Sequence, residues 1–128
     1  MVVGNKRKII LLCSFILILA HIPAFASGRD EIVFEHLSLE KGLSQTTVNA
    51  ILKDHRGYMW FGTDGGLNRY DGYTFRVFRH EPFSTTSLSN NIVTSLYEDA
   101  EGFLWVGTFG GGLNRFDPVT ETFRVYHY

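Results

Sequence analysis

Of the five histidines, the four beyond residue 26, with several aspartates, two recurring arginines and a run of three glycines, are the residues of this sequence whose types could support chemistry. A metal centre or a general base would draw on His36, His55, His80 and His127. Their separations match neither one face of a helix nor the short ligand spacings of a zinc site. His55 lies in a segment whose later counterpart carries Ala100, so the pattern around it does not require an imidazole and it is expected at the solvated surface. Asp54, Asp64 and Asp71 could offer oxygens to calcium, but the alternating acidic positions of a calcium loop are missing. Asp54 and Asp99 fit better as turn residues that bond their own backbone. Gly110-Gly111-Gly112 is followed by neither Lys-Ser/Thr nor a helical pattern, which argues against a phosphate-cradling loop. Hydrolysis of a glycoside would need two carboxylates facing across a pocket. No catalytic residue, metal ligand or cofactor is assigned.

The arginines lead to the elements that must hold them, because Arg69 and Arg115 occupy the same place in two copies of one pattern. Asp54, Gly57, Trp60, Gly62, Thr63, Gly66, Leu67, Asn68, Arg69 and Asp71 form the first copy. The second is Asp99, Gly102, Trp105, Gly107, Thr108, Gly112, Leu113, Asn114, Arg115 and Asp117, with one additional glycine. Trp60 and Trp105 stand 45 residues apart. The match extends upstream, where Leu43-Ser44 and Val48 return as Leu88-Ser89 and Val93. A period of about 40–50 residues built from short strands and glycine turns is that of a propeller blade. With both arginines alike, a role in tying down the blade is favoured over a ligand site.

Within one copy, Val48–Lys53, Tyr58–Thr63, Leu67–Asp71 and Tyr73–Phe78 are expected as four antiparallel strands joined by hairpins. In the second of these, Met59, Phe61 and Thr63 share one face and Tyr58, Trp60 and Gly62 the other. Both faces are largely apolar, so both need covering, unlike an ordinary half-solvated antiparallel sheet. Stacked blades supply that cover. Both tryptophans are then core residues, and Gly62 and Gly107 mark close approach between neighbouring blades. The fold class expected is all-β: about two four-stranded propeller blades, residues 42–86 and 87–128. One N-terminal strand, Ile32–Leu37, is expected within a segment spanning 27–41.

Residues 1–26 have the form of a signal peptide. Lys6-Arg7-Lys8 precedes the apolar run Ile9–Ala20, and Ala24 and Ala26 place small residues at −3 and −1 of a cleavage site before Ser27. Twelve apolar residues fall short of the roughly 17–25 that span a bilayer. The mature chain, from Ser27, holds no cysteine, and its nine basic residues face 13 acidic ones. That balance lacks the basic footprint a nucleic-acid partner needs. Nothing in the mature sequence reads as a membrane span, and a periplasmic or secreted location is expected.

The string Asp-x-x-Gly-x-x-Trp-x-Gly-Thr-x-x-Gly-Leu-Asn-Arg-x-Asp at Asp54–Asp71, with its second copy at Asp99–Asp117, resembles the two-component regulator propeller repeats of hybrid sensor histidine kinases. Phe34-x-x-Leu37-Ser38, Gly42-Leu43-Ser44-Gln45 and Ser87-Leu88-Ser89-Asn90-Asn91 are similar to that family's N-terminus and blade leaders. The resemblance implies a periplasmic sensor region of stacked propellers, followed by a transmembrane helix and cytoplasmic signalling parts. It further implies detection of oligosaccharides.

Two blades do not close a propeller, and the stop at Tyr128 has the look of an interruption. The first expectation is therefore an N-terminal piece of such a sensor, without kinase activity, whose partners are the missing blades. The alternative is a free-standing secreted binding module that closes a ring from several copies of itself.

Overall fold

The structure is a computed structural model and describes residues 32–127. The signal peptide and its cleavage site at Ala24, Ala26 and Ser27 lie outside these residues. So does Tyr128. Residues 32–34 belong to a preceding segment, while residues from Glu35 onward form one compact unit. Residues 32–38 carry no regular secondary structure, so the strand expected over Ile32–Leu37 does not form. A single extended segment gains a ladder only beside a partner strand, and none among the described residues pairs with it.

Two four-stranded antiparallel sheets follow in chain order, as expected of two blades. The first contains β1 (Val48–Lys53), β2 (Met59–Thr63), β3 (Gly66–Tyr70) and β4 (Phe75–Phe78). The second contains β5 (Val93–Glu98), β6 (Leu104–Thr108), β7 (Gly112–Asp117) and β8 (Thr122–Tyr126). Each sheet is a simple meander, and the two share their registers position by position: Trp60 pairs with Arg69 as Trp105 pairs with Arg115. A register shift recurs at Asn49 and at Thr94. At the first of these bulges Asn49 Nδ2 donates to Asp64 Oδ1 (2.8 Å) and, across to the second sheet, to Val93 O (3.0 Å).

The fourth strand is shorter than its sequence suggests. Asp71 Oδ1 accepts the amides of Tyr73 and Thr74, both at 2.8 Å, which closes an Asx-type turn and delays the ladder to Phe75. At the second sheet the segment from Asp117 to Thr122 holds two residues more than that from Asp71 to Thr74, the ladder extends to the Asp117–Thr122 pair, and the last residue of the turn, Glu121, adopts φ 55°.

The core lies between the sheets. Trp60, Leu67 and Phe78 of the first meet Phe116 and Phe123 of the second; Trp60 packs edge-on against Phe116 with centroids 5.3 Å apart, and Phe78 against Phe116 at 5.0 Å. Such aromatic pairs contribute about 0.5–1.5 kcal/mol each beyond the area they bury. Val93 closes the inner end of this layer, and a Cβ built on Gly62 would stand 2.6 Å from Val93 Cγ1. Gly62 therefore meets the neighbouring blade, whereas a Cβ on Gly107 would meet Ser95 of its own sheet.

Candidate functional site

Each repeat residue has a specific task in the geometry. Asp54 Oδ1 accepts the backbone amides of Arg56 (3.0 Å) and Tyr58 (2.9 Å), and its Oδ2 accepts the Trp60 indole N–H (2.8 Å). Asp99 does the same for Glu101, Phe103 and Trp105. One carboxylate thus fixes the hairpin and the rotamer of the tryptophan that opens the next strand. Gly57 and Gly102, at φ 92° and 85°, supply the left-handed backbone those hairpins need.

A second polar cluster is built around a buried asparagine. Asn68 Oδ1 accepts the amide of Ser44 (2.8 Å), and Asn68 Nδ2 donates to Ser44 Oγ (2.8 Å). Ser44 Oγ lies 2.8 Å from Thr63 Oγ1, which in turn donates to Gly66 O (3.0 Å). Asn114, Ser89, Thr108 and Gly112 repeat the arrangement. Full satisfaction makes such buried polar groups tolerable in an apolar layer. These clusters position backbone and leave no side chain free to react.

The arginines act on ring faces and on the neighbouring sheet. Arg69 lies over Tyr58, 4.9 Å from its centroid, and Arg115 lies 4.0 Å over Phe103. Arg69 Nη1 also reaches Glu121 Oε1 of the second sheet at 3.1 Å, and Arg76 pairs with Oε2 of the same carboxylate. A second inter-sheet pair joins His55 to Glu98, whose Oε1 is 2.5 Å from Nδ1 and whose Oε2 accepts the His55 amide. Glu98 and Glu121 were not legible as functional in the sequence, since the first repeat carries Lys53 and Tyr73 in their places. That very difference between otherwise matched copies was the available signal.

The electrostatics follow the turns. Thr74 and then Tyr73, through their amides, hold the Asp71 carboxyl below its ordinary range. The Val119 amide does so for Asp117, against some desolvation and aided by Thr120 and Arg115. For Asp99 desolvation pushes upward, but the Trp105 indole, the Phe103 and Glu101 amides and Arg115 together outweigh it.

The remaining histidines stand apart. His36 and His127 are exposed, and His80 Nδ1 lies 2.9 Å from Leu88 O. Among the described residues no group of three or more His, Cys, Asp or Glu could hold a metal. No helix among them is long and apolar enough to cross a membrane. A shallow groove runs along the rim between the sheets, lined by Arg76, Arg79, Glu81, Ser87, Glu121 and Phe123. Its polar, open character suits recognition rather than a shielded reaction.

Comparison with known proteins agrees with this geometry. Histidine kinase P4 of Formosa agariphila is 39% identical over 80 residues, which is 62% of this chain and 6% of that protein. The extracellular domain of a hybrid two-component system from B. thetaiotaomicron matches 73% of this chain at 35% identity with a TM-score of 0.67. A second such domain from that organism matches 62% at 30% identity with a TM-score of 0.52. The chain spans only 13% and 11% of those two solved chains. The two-component regulator propeller family matches at residues 42–65 and 87–110. The segments it matches are each a leader with its first hairpin, Ser44 to Thr63 and Ser89 to Thr108, and this chain therefore carries two segments that match the two-component regulator propeller repeat.

Proposed function

We propose that this chain is the opening of the periplasmic ligand-sensing propeller of a hybrid two-component sensor histidine kinase, exported by a signal peptide cleaved after Ala26. The observation that carries the reading is the match of 73% of the chain to the extracellular domain of such a system. Its role is signal reception, with the phosphotransfer chemistry supplied by other parts of the receptor. Oligosaccharides are the ligand class that the repeats' resemblance favours. An open rim groove with arginine, glutamate, serine and aromatic side chains is chemically suited to sugar hydroxyls.

The test is calorimetric titration of the whole ectodomain containing this chain with oligosaccharides of defined linkage. Saturable binding by one linkage class supports the reading, and its absence across plant, algal and host glycans overturns the ligand class. N-terminal sequencing of the exported protein tests the address: Ser27 as the first residue is expected.

A further inference from the structure

The two sheets present opposite faces to one another, so each keeps one face that no described residue of the other covers. On the second sheet that open face repeats the buried face of the first. Leu113 is 42% exposed where its counterpart Leu67 is fully buried, and Tyr97 is 65% exposed where Leu52 packs against the core. The charges repeat as well. Arg115 and Arg124 are cross-strand neighbours, as are Arg69 and Arg76. Glu121 bridges the first pair. The second pair has no ion-pair partner among the described residues. Arg115 contributes to the field on Asp99 and Asp117, but neither carboxylate comes within ion-pair distance.

The first sheet's open face cannot serve as that partner. Stacked as the second sheet stacks on the first, another copy of the chain would bring Tyr73, an exposed hairpin residue, to the place Glu121 holds. It would also bring Lys53 to the place of Glu98, opposite Ala100 instead of His55. Two arginines would then be partly desolvated with no carboxylate, and a lysine added nearby. Uncompensated charge of this kind discriminates against a partner even where the remaining contacts match.

We infer that the open face of the second sheet is a docking surface for a further blade-type sheet bearing a carboxylate at the end of its third hairpin, and that Arg115 and Arg124 select it over a second copy of this chain. The inference rests on the reading of the chain as part of a longer propeller. It is tested without any sugar, so its failure and that of the glycan reading are distinguishable.

The probe is the chain itself, with residues 72–73 replaced by Pro-Val-Thr-Glu, the turn found at 118–121. Sedimentation velocity, with circular dichroism to verify the fold, compares its association with that of the unmodified chain. The grafted carboxylate is expected to tighten head-to-tail association about tenfold or more. Arg115→Ala with Arg124→Ala should abolish the gain, as should the same graft ending in glutamine. Tyr73→Glu is the companion variant if the longer turn disturbs the first sheet. Equal association of the unmodified and grafted chains, or a gain that survives loss of both arginines, overturns the inference. So does the lack of any gain from a folded graft or from Tyr73→Glu.

Discussion

Leu67→Ala and Leu113→Ala make the same chemical change at the same position of the same repeat, in two different surroundings. Leu67 is fully buried between the sheets, while Leu113 is 42% exposed on the open face. Truncating a buried leucine costs about 2–5 kcal/mol, because the transfer energy is lost and a cavity remains. Full burial of a leucine is worth about 1.5–3 kcal/mol, so the part of Leu113 still covered accounts for roughly 1–1.7 kcal/mol, with little cavity left behind. The expected difference is therefore on the order of 1–3 kcal/mol, with Leu67→Ala the more damaging. For a unit of this size each kcal/mol shifts the melting temperature by about 4–8 °C. Urea unfolding followed by tryptophan fluorescence, with thermal melts by circular dichroism, measures both variants. Equal losses, or a larger loss for Leu113→Ala, would refute the assignment of the inter-sheet face. In an ectodomain where a further blade covers Leu113, the two costs should converge.

Gly62→Ala should destabilise by about 1–3 kcal/mol through overpacking, since the new methyl meets Val93 Cγ1 at 2.6 Å. Val93→Ala in the same chain should recover part of that loss in a double-mutant cycle. Asp54→Ala should cost about 1–3 kcal/mol by leaving the buried Trp60 indole N–H unpaired, and red-shifted tryptophan emission would accompany it. Acid should also weaken the fold. The carboxyls of Asp71, Asp99 and Asp117 are depressed in the folded chain, so their contribution is fully present above the ordinary aspartate range near pH 4. It is lost as pH falls through their lower folded values, and a pH series of urea midpoints that stayed flat between pH 5 and 2.5 would contradict this.

The fold was legible because the repeat wrote it twice. Gly57 and Gly102 each named a hairpin, Trp60 a core residue, and the alternation across Met59–Thr63 a doubly covered strand. Trp105, expected in the core as well, is instead half-buried on the open face of the second sheet, because no described sheet packs there. Strand ends were less legible where side chains compete with the ladder, as Asp71 does when it draws Tyr73 and Thr74 into a turn. The Ile32–Leu37 strand was misread for a related reason: an apolar run signals burial, but pairing depends on a partner that local sequence does not specify. The inter-sheet contacts were the least visible. Averaging the copies emphasises what they share, and Glu98 and Glu121 matter because the copies differ there. His55, expected as an idle surface residue, is exposed yet bonded across to Glu98.

The polar cluster around Asn68 also bears on how such a chain could have grown. Its hydrogen bonds reach backward to Ser44, in the leader before β1, and none reaches into the following blade. The second cluster likewise closes on Ser89, within its own 45-residue period. A gene duplication cut just ahead of Leu43 or Leu88 would therefore copy a complete hydrogen-bonding module. The contacts crossing that cut, such as Glu121 with Arg69 and Arg76, remain free to diverge. Copying can thus lengthen the array, while drift at a few acidic positions gives each blade its own address in the order.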